Sequence, residues 1–216
     1  MDFDQLRAEM VTELQQQGIR DTAVLQAMNT VPREHFVPEE YQEYAYYNGP
    51  IPLPAKQTIS QPFVVALMLA ALKLKPHFNL LEVGTGSGYA AAVASLLVRQ
   101  VHTVERQARL VQYAKIRLNQ VGYANISLHL GDGTLGWPTS APYDAIVVAA
   151  GGPTVPASLR NQLAVNGRLI MPVGTHKKQK LHLIWRKVDG RFGHKVLTPV
   201  RFVPLIGSEG WGDGER

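Results

Sequence analysis

Cysteine is absent from this chain of 216 residues. Disulfides, thiolate metal sites and a cysteine nucleophile are excluded with it. The seven histidines show no metal-ligand spacing, neither an HExxH pair nor anything comparable, so no metal is expected. No apolar run approaches the roughly 20 residues that a membrane-spanning helix needs. The longest, Phe63 to Leu74, is too short and ends among lysines. The opening MDFDQLRAEM carries acids where a secretion signal has a basic region and then an apolar core. A cytoplasmic location without a membrane partner is the expectation. The formal net charge is +5, but the basic residues are scattered. Their one cluster, His176-Lys177-Lys178-Gln179-Lys180, reads as a solvated turn between strands. Nucleic-acid binding needs a basic stripe, so nucleic acid is not an expected partner.

The composition is that of an ordinary globular protein, 45% hydrophobic and 18% charged, and the length suits one domain spanning 1–216. Phe3, Leu6, Met10, Val11 and Leu14 recur at helical spacing until Gly18, and Asp21 can cap a second helix through Met28. The stretch from Tyr41 to Ser60, rich in proline and aromatics, suits neither helix nor strand, and long irregular segments of this kind are usually functional. Pro62 fits the first turn of a helix to about Leu72, with Ser60 or Gln61 near its cap. From Asn79 short apolar strands alternate with helices. Strands are expected at 79–83, 101–104, 126–130, 143–148 and 168–171, and helices at 89–98, 108–121 and 156–163. This grammar predicts a three-layer α/β/α, doubly wound, mostly parallel sheet of Rossmann-like type. Two further strands between Lys180 and Val200 should form an antiparallel C-terminal hairpin at its edge.

In such a sheet, ligands bind at the carboxyl ends of the strands. Three strand ends here carry unusual residues. The first is Glu82-Val83-Gly84-Thr85-Gly86-Ser87-Gly88-Tyr89, where glycines permit a sharp turn and close approach to a ligand. The second is Glu105, followed by Arg106; a carboxylate at this place can accept both hydroxyls of a ribose. The third is Asp132 in Gly131-Asp132-Gly133, where an adenine edge could lie. Together they point to an adenosine-containing ligand. A dinucleotide loop reads GxGxxG, whereas the third glycine position here is Tyr89, which disfavours NAD. The two acids Glu82 and Glu105 suggest surroundings suited to a cationic ligand.

The segments LEVGTGSGYAAA, VHTVER, GDGTLGW and APYDAIVV resemble those of class I S-adenosylmethionine-dependent methyltransferases. More narrowly, QTISQPFVVALML, VPREHFVPE, VPASLRNQL, GRLIMPVG and VRFVPLIG resemble the protein-L-isoaspartate (D-aspartate) O-methyltransferase family, over nearly the whole chain. The resemblance implies methyl esterification of the α-carboxyl group of L-isoaspartyl residues in damaged proteins, which initiates their repair. It implies S-adenosyl-L-methionine as cofactor and isoaspartyl peptides and proteins as partners; a monomer is the expectation. It makes Ser60 the catalytic position. Cofactor contacts would come from Thr58, Ile59, Glu82, Gly84, Thr85, Gly86, Ser87, Gly88, Glu105, Arg106, Asp132 and Gly133. Substrate contacts would come from Ile59, Ser60, Val203, Pro204 and Leu205. The chain then divides into N-terminal helices and substrate loop (1–78), cofactor core (79–172) and edge strands with a substrate-contacting tail (173–216). Asn48 and Pro54-Ala55-Lys56 stand where the family usually has an acid and a glycine-rich approach, and Phe63 stands where many members have histidine. The alternatives are a class I methyltransferase acting on another acceptor and a cofactor-binding module with little turnover.

Overall fold

The computed structural model describes residues 1–212 and Gly214. Helices α1 (Phe3–Gln16) and α2 (Thr22–Thr30) begin on the side chains of Asp2 and Asp21, which accept from the main-chain N–H groups of Gln5 and Val24. The segment expected to be irregular contains a small antiparallel hairpin, β1 (Ile51–Leu53) with β2 (Gln57–Ile59). Pro52 and Pro54 hide it in the sequence, because proline is tolerated only where a strand's N–H faces away from a partner. Its inward residues Ile51, Leu53 and Ile59 are nonetheless buried. Helix α3 (Pro62–Leu72) follows, with proline in its first turn and no side-chain cap, so Ser60 is not spent on the helix end.

Seven strands form one sheet: β3 (Asn79–Val83), β4 (Gln100–Glu105), β5 (Ile126–Leu130), β6 (Tyr143–Val148), β7 (Leu163–Gly174), β8 (Gln179–Arg186) and β9 (Phe192–Val200). Their order is β5-β4-β3-β6-β7-β8-β9. The first five are mutually parallel, and β8 and β9 add as an antiparallel meander on the β7 side. Helices α4 (Tyr89–Ser95), α5 (Ala108–Val121) and α6 (Ala157–Asn161) lie between the parallel strands in the chain.

Strand side chains alternate between two cores. Leu80, Ala145 and Val147 face one, which also takes residues of α1 to α5. Leu81, Ile146 and Val148 face the other, with Leu159 of α6 and Leu205 of the tail. The second layer is thus thinner than the first, built from one short helix, irregular turns and the C-terminal segment.

Other boundaries differ from expectation for local reasons. Helix α4 stops at Ser95, three residues early, where Ser95 Oγ donates to the Ala92 carbonyl. Leu163 belongs to β7 rather than to the preceding helix, and β7 pairs with β6 across a register shift near Asn166, which has φ +64°. Gln179 is not part of a solvated turn: it is buried, and its amide bonds both ways to the main chain of Phe202, at 3.2 Å from Nε2 to the carbonyl and 2.8 Å from the N–H to Oε1.

Candidate active site

Strand β3 is the middle one of the five parallel strands, with β4 on one side and β6 on the other. The chain leaves β3 for β4 and later returns to β6, so the crevice at the carboxyl end of β3 is the topological switch point. The glycine loop occupies it. Gly84, Gly86 and Gly88 have φ of +93°, +55° and +89°, a region that favours glycine. A cavity of about 310 Å³ opens over this loop, the lower end of the range for small-molecule sites.

The cavity gathers residues far apart in sequence. Thr58, Ile59 and Ser60 come from the hairpin and its exit; Glu82, Gly84, Thr85, Gly86 and Ser87 from the end of β3 and its loop; Glu105 and Arg106 from the end of β4 and the residue after it; Gly133 from the turn after β5; and Val203, Pro204 and Leu205 from the tail. Two expected residues stand apart. Gly88 lies behind the wall, where an added Cβ would sit 3.1 Å from Leu118 Cγ; it lets α5 pack against the loop. Asp132 lies in an adjoining surface hollow. Its Oδ1 accepts from Thr134 N–H at 2.9 Å and Thr134 Oγ1 at 2.7 Å, and its Oδ2 accepts from Ser208 N–H at 2.7 Å. Those bonds hold its pKa below the usual carboxylate range against the opposing effect of burial. In this structure Asp132 ties the β5 turn to the tail.

Glu105 is buried at the end of β4, and its carboxylate accepts from Gly86 N–H at 3.2 Å and Gln107 N–H at 2.9 Å. The glycine loop is thereby fixed to the neighbouring strand. Glu82 is buried beneath the loop and accepts from Thr103 Oγ1 at 2.5 Å, while Thr103 shares a 2.6 Å bond with Thr85 Oγ1. Burial pushes the Glu82 pKa up from 4.5 to about 8; the Thr103 hydroxyl opposes the rise, and the Glu105 carboxylate adds to it. Burial and the neighbouring Glu105 thus disfavour the charged form of Glu82, so the two acids are not equivalent.

The tail is held by main-chain bonds. Gly151 N–H donates to the Val203 carbonyl and Leu205 N–H donates to the Gly151 carbonyl, both at 2.8 Å. Trp211 Nε1 also donates to the Gly151 carbonyl, at 2.9 Å. The hairpin roofs the other side: Leu53 Cδ1 would lie 3.7 Å from a Cβ on Gly86.

Sequence reasoning missed part of the wall. Val65, Met68 and Leu69 of α3 line the cavity, as do Tyr89, Leu110, Ala149 and Phe202. The apolar α3 run was visible, but nothing local distinguished a cavity wall from a core. Arg33 was missed entirely. It is fully buried, with Nε donating to the Ala45 carbonyl at 2.7 Å and Nη2 to the Ser60 carbonyl at 2.8 Å.

The protein-L-isoaspartate(D-aspartate) O-methyltransferase family model matches residues 5–210. This chain belongs to that family. A protein-L-isoaspartate O-methyltransferase of Rhodopseudomonas palustris is 52% identical over 195 residues, 90% of this chain and 89% of the relative. One from Roseiflexus is 51% identical over 211 residues, 98% of this chain and 96% of the relative. Among solved structures, a Plasmodium falciparum protein named for the same activity, in complex with S-adenosyl-L-homocysteine, has a TM-score of 0.81 at 27% identity, covering 93% of this chain and 98% of that one. Another protein-L-isoaspartate O-methyltransferase structure has a TM-score of 0.85 at 29% identity, covering 94% of this chain and 67% of that one. The expected Rossmann-like methyltransferase fold is therefore the observed one. Among the described residues no helix is long and apolar enough to cross a membrane.

Proposed function

We propose that this chain uses S-adenosyl-L-methionine to methylate the α-carboxylate of L-isoaspartyl residues in proteins and peptides, the first step of their repair. Family membership supports the reaction. The observation that carries the reading for these residues is that Ser60 shares one cavity with the glycine loop and Glu105.

The residues fit the cofactor. Main-chain groups from Gly84 to Ser87 would meet its amino-acid end, and Glu105, fixed by Gly86 and Gln107, would accept from the ribose hydroxyls. Gly133 would lie beside the adenine in the cavity wall, and glycine is needed there for packing, since a Cβ would lie 2.4 Å from Val83 Cγ1. Thr58, Ile59 and Arg106 complete the wall. Asp132 would act from behind, by holding the Gly133 turn in place. When bound, the cofactor supplies a methyl group on a positively charged sulfur.

The remaining work belongs to the chain. A peptide carboxyl group with a pKa of about 4 is already ionised at neutral pH, so the acceptor needs no general base. What it needs is alignment and loss of water, and alignment alone can lower a barrier by roughly 7–11 kcal/mol. Ser60 Oγ would donate to the acceptor carboxylate. Val203, Pro204 and Leu205, pinned to Gly151, would lie against the peptide main chain. Recognition of main chain plus an anion suits an enzyme that meets damaged sites in many proteins.

The test is a methyl-transfer assay on an isoaspartyl peptide beside its aspartyl twin. Transfer to the isoaspartyl peptide alone is expected. Equal transfer to both, or to neither, would remove the assignment.

A further inference from the structure

We propose that Arg33 is a positioning residue for the acceptor site, fixing Ser60 through its main chain and placing a buried positive charge behind the acceptor carboxylate. The inference deepens the isoaspartyl methyltransferase reading and rests on it.

Arg33 has 0% exposure, the largest of the fully buried side chains. Its hydrogen bonds go to the carbonyls of Ala45 and Ser60. Its guanidinium lies 4.6 Å from the centre of the Tyr89 ring. Among the described residues it makes no salt bridge. The adjacent Glu34 is engaged elsewhere, by Arg7 Nη2 at 3.3 Å and by the Tyr46 hydroxyl. Arg33 Nη1 and the Tyr89 hydroxyl are both buried, and neither makes a well-formed hydrogen bond among the described residues.

A buried cation without a carboxylate is costly, and a well-packed apolar side chain would usually be more stable in its place. Its location gives the cost a purpose. Ser60 and Tyr89 both line the cavity, so the guanidinium sits one layer behind the wall, against the back of each. Ser60 leads the chain into α3, and Tyr89 opens α4 directly after the glycine loop. One side chain thus braces the acceptor strap against the helix that starts at the cofactor loop. Arginine suits this task, because its fixed fork reaches two carbonyls while its face stacks on an aromatic ring. Lysine offers one point charge and no fork.

The charge also has a chemical consequence. The acceptor arrives as an anion and leaves as a neutral ester. A positive potential behind Ser60 favours the first over the second, which aids binding of the carboxylate and release of the product. Low local dielectric and distance from salt preserve such an effect.

The experiment measures peptide binding with S-adenosyl-L-homocysteine present, so that no turnover occurs. An isoaspartyl peptide is compared with the same peptide carrying a carboxamide in place of the α-carboxylate. Wild type should prefer the carboxylate at least about tenfold. Arg33→Gln should lower that preference below about threefold while its affinity for S-adenosyl-L-homocysteine stays within about twofold. Arg33→Lys should keep the preference and lose at least about fivefold in kcat, because the charge survives and the tether to Ser60 does not. A folded Arg33→Gln protein with the full preference and only a lower melting temperature would make the residue merely structural and overturn the proposal. If that variant does not fold, Arg33→Lys decides: loss of the preference, or an unchanged kcat, overturns it. Wild type that fails to methylate the isoaspartyl peptide would instead sink the functional reading, independently of the binding ratio.

Discussion

Replacing Glu82 by glutamine should make the protein less sensitive to alkali, and the size of the effect follows from where the carboxyl group sits. Glu82 is buried under the glycine loop, and its pKa rises from 4.5 to about 8. The folded state therefore holds a proton that the unfolded chain gives up near pH 4.5. Stability from this group is fully present below that pH and is lost as pH rises towards 8. Each pH unit in the window is worth about 1.4 kcal/mol, so the loss from pH 5 to pH 8 is about 4 kcal/mol. Glutamine has the same shape, can still accept from Thr103, and carries no titrating proton. Urea unfolding of wild type and Glu82→Gln at pH 5, 6, 7 and 8 checks this directly. The free-energy difference between the two should open steadily in favour of the variant, with most of it gained by pH 8. Curves that run parallel across the range would refute the reasoning, since they would mean that Glu82 titrates alike in both states. The measurement needs no ligand, so it tests the site's electrostatics apart from its function.

Ser60→Ala should lower methyl transfer to an isoaspartyl peptide at least tenfold, about 1.4 kcal/mol for one lost hydrogen bond, with the calorimetric dissociation constant of the cofactor unchanged; normal turnover would remove Ser60 from the mechanism. Asp132→Ala breaks the bonds to Thr134 and Ser208, and should lower the unfolding free energy by about 1–3 kcal/mol and weaken cofactor binding. An unchanged dissociation constant in calorimetry would confine Asp132 to holding the tail. Gly88→Ala puts a Cβ at a φ of +89° and 3.1 Å from Leu118 Cγ, which should destabilise the fold by about 1–3 kcal/mol in urea unfolding. Wild-type stability in that variant would show that the turn relaxes freely.

Those positions differ in how visibly the sequence announced them. Strands Asn79–Val83, Ile126–Leu130 and Tyr143–Val148 and helix Ala108–Val121 have the expected boundaries, because apolar period and flanking turn residues agree there. The β1–β2 hairpin did not announce itself, since two prolines masked an alternation of only three residues per strand. That Glu105 and the glycine loop meet at one cavity is legible in the sequence because they end strands, and strand ends in a parallel sheet share one edge. The Glu82 side chain was visible in the same motif, but its charge state was not. Whether a carboxyl group ionises depends on burial and on the distance to Glu105, and neither is a property of the local sequence.

Arg33 and Gln179 show the same limit from the other side. Neither is marked by its sequence neighbours, PRE and KKQK, as a residue that reaches across the fold. Each is buried and bonded to main-chain atoms of residues 27 or 23 positions away, Ser60 and Phe202. A long polar side chain that satisfies distant carbonyl and amide groups fixes backbone that has no regular structure to fix it. The side of this cavity that we assign to the acceptor consists of such backbone: the exit from β2 at Ser60, and the tail from Phe202 to Leu205. Regular strands and helices place the side that we assign to the cofactor through local pattern, which a sequence displays. The acceptor side is placed by a few buried side chains reaching across the fold. Substitutions at those few positions should therefore change acceptor binding while leaving the cofactor side intact.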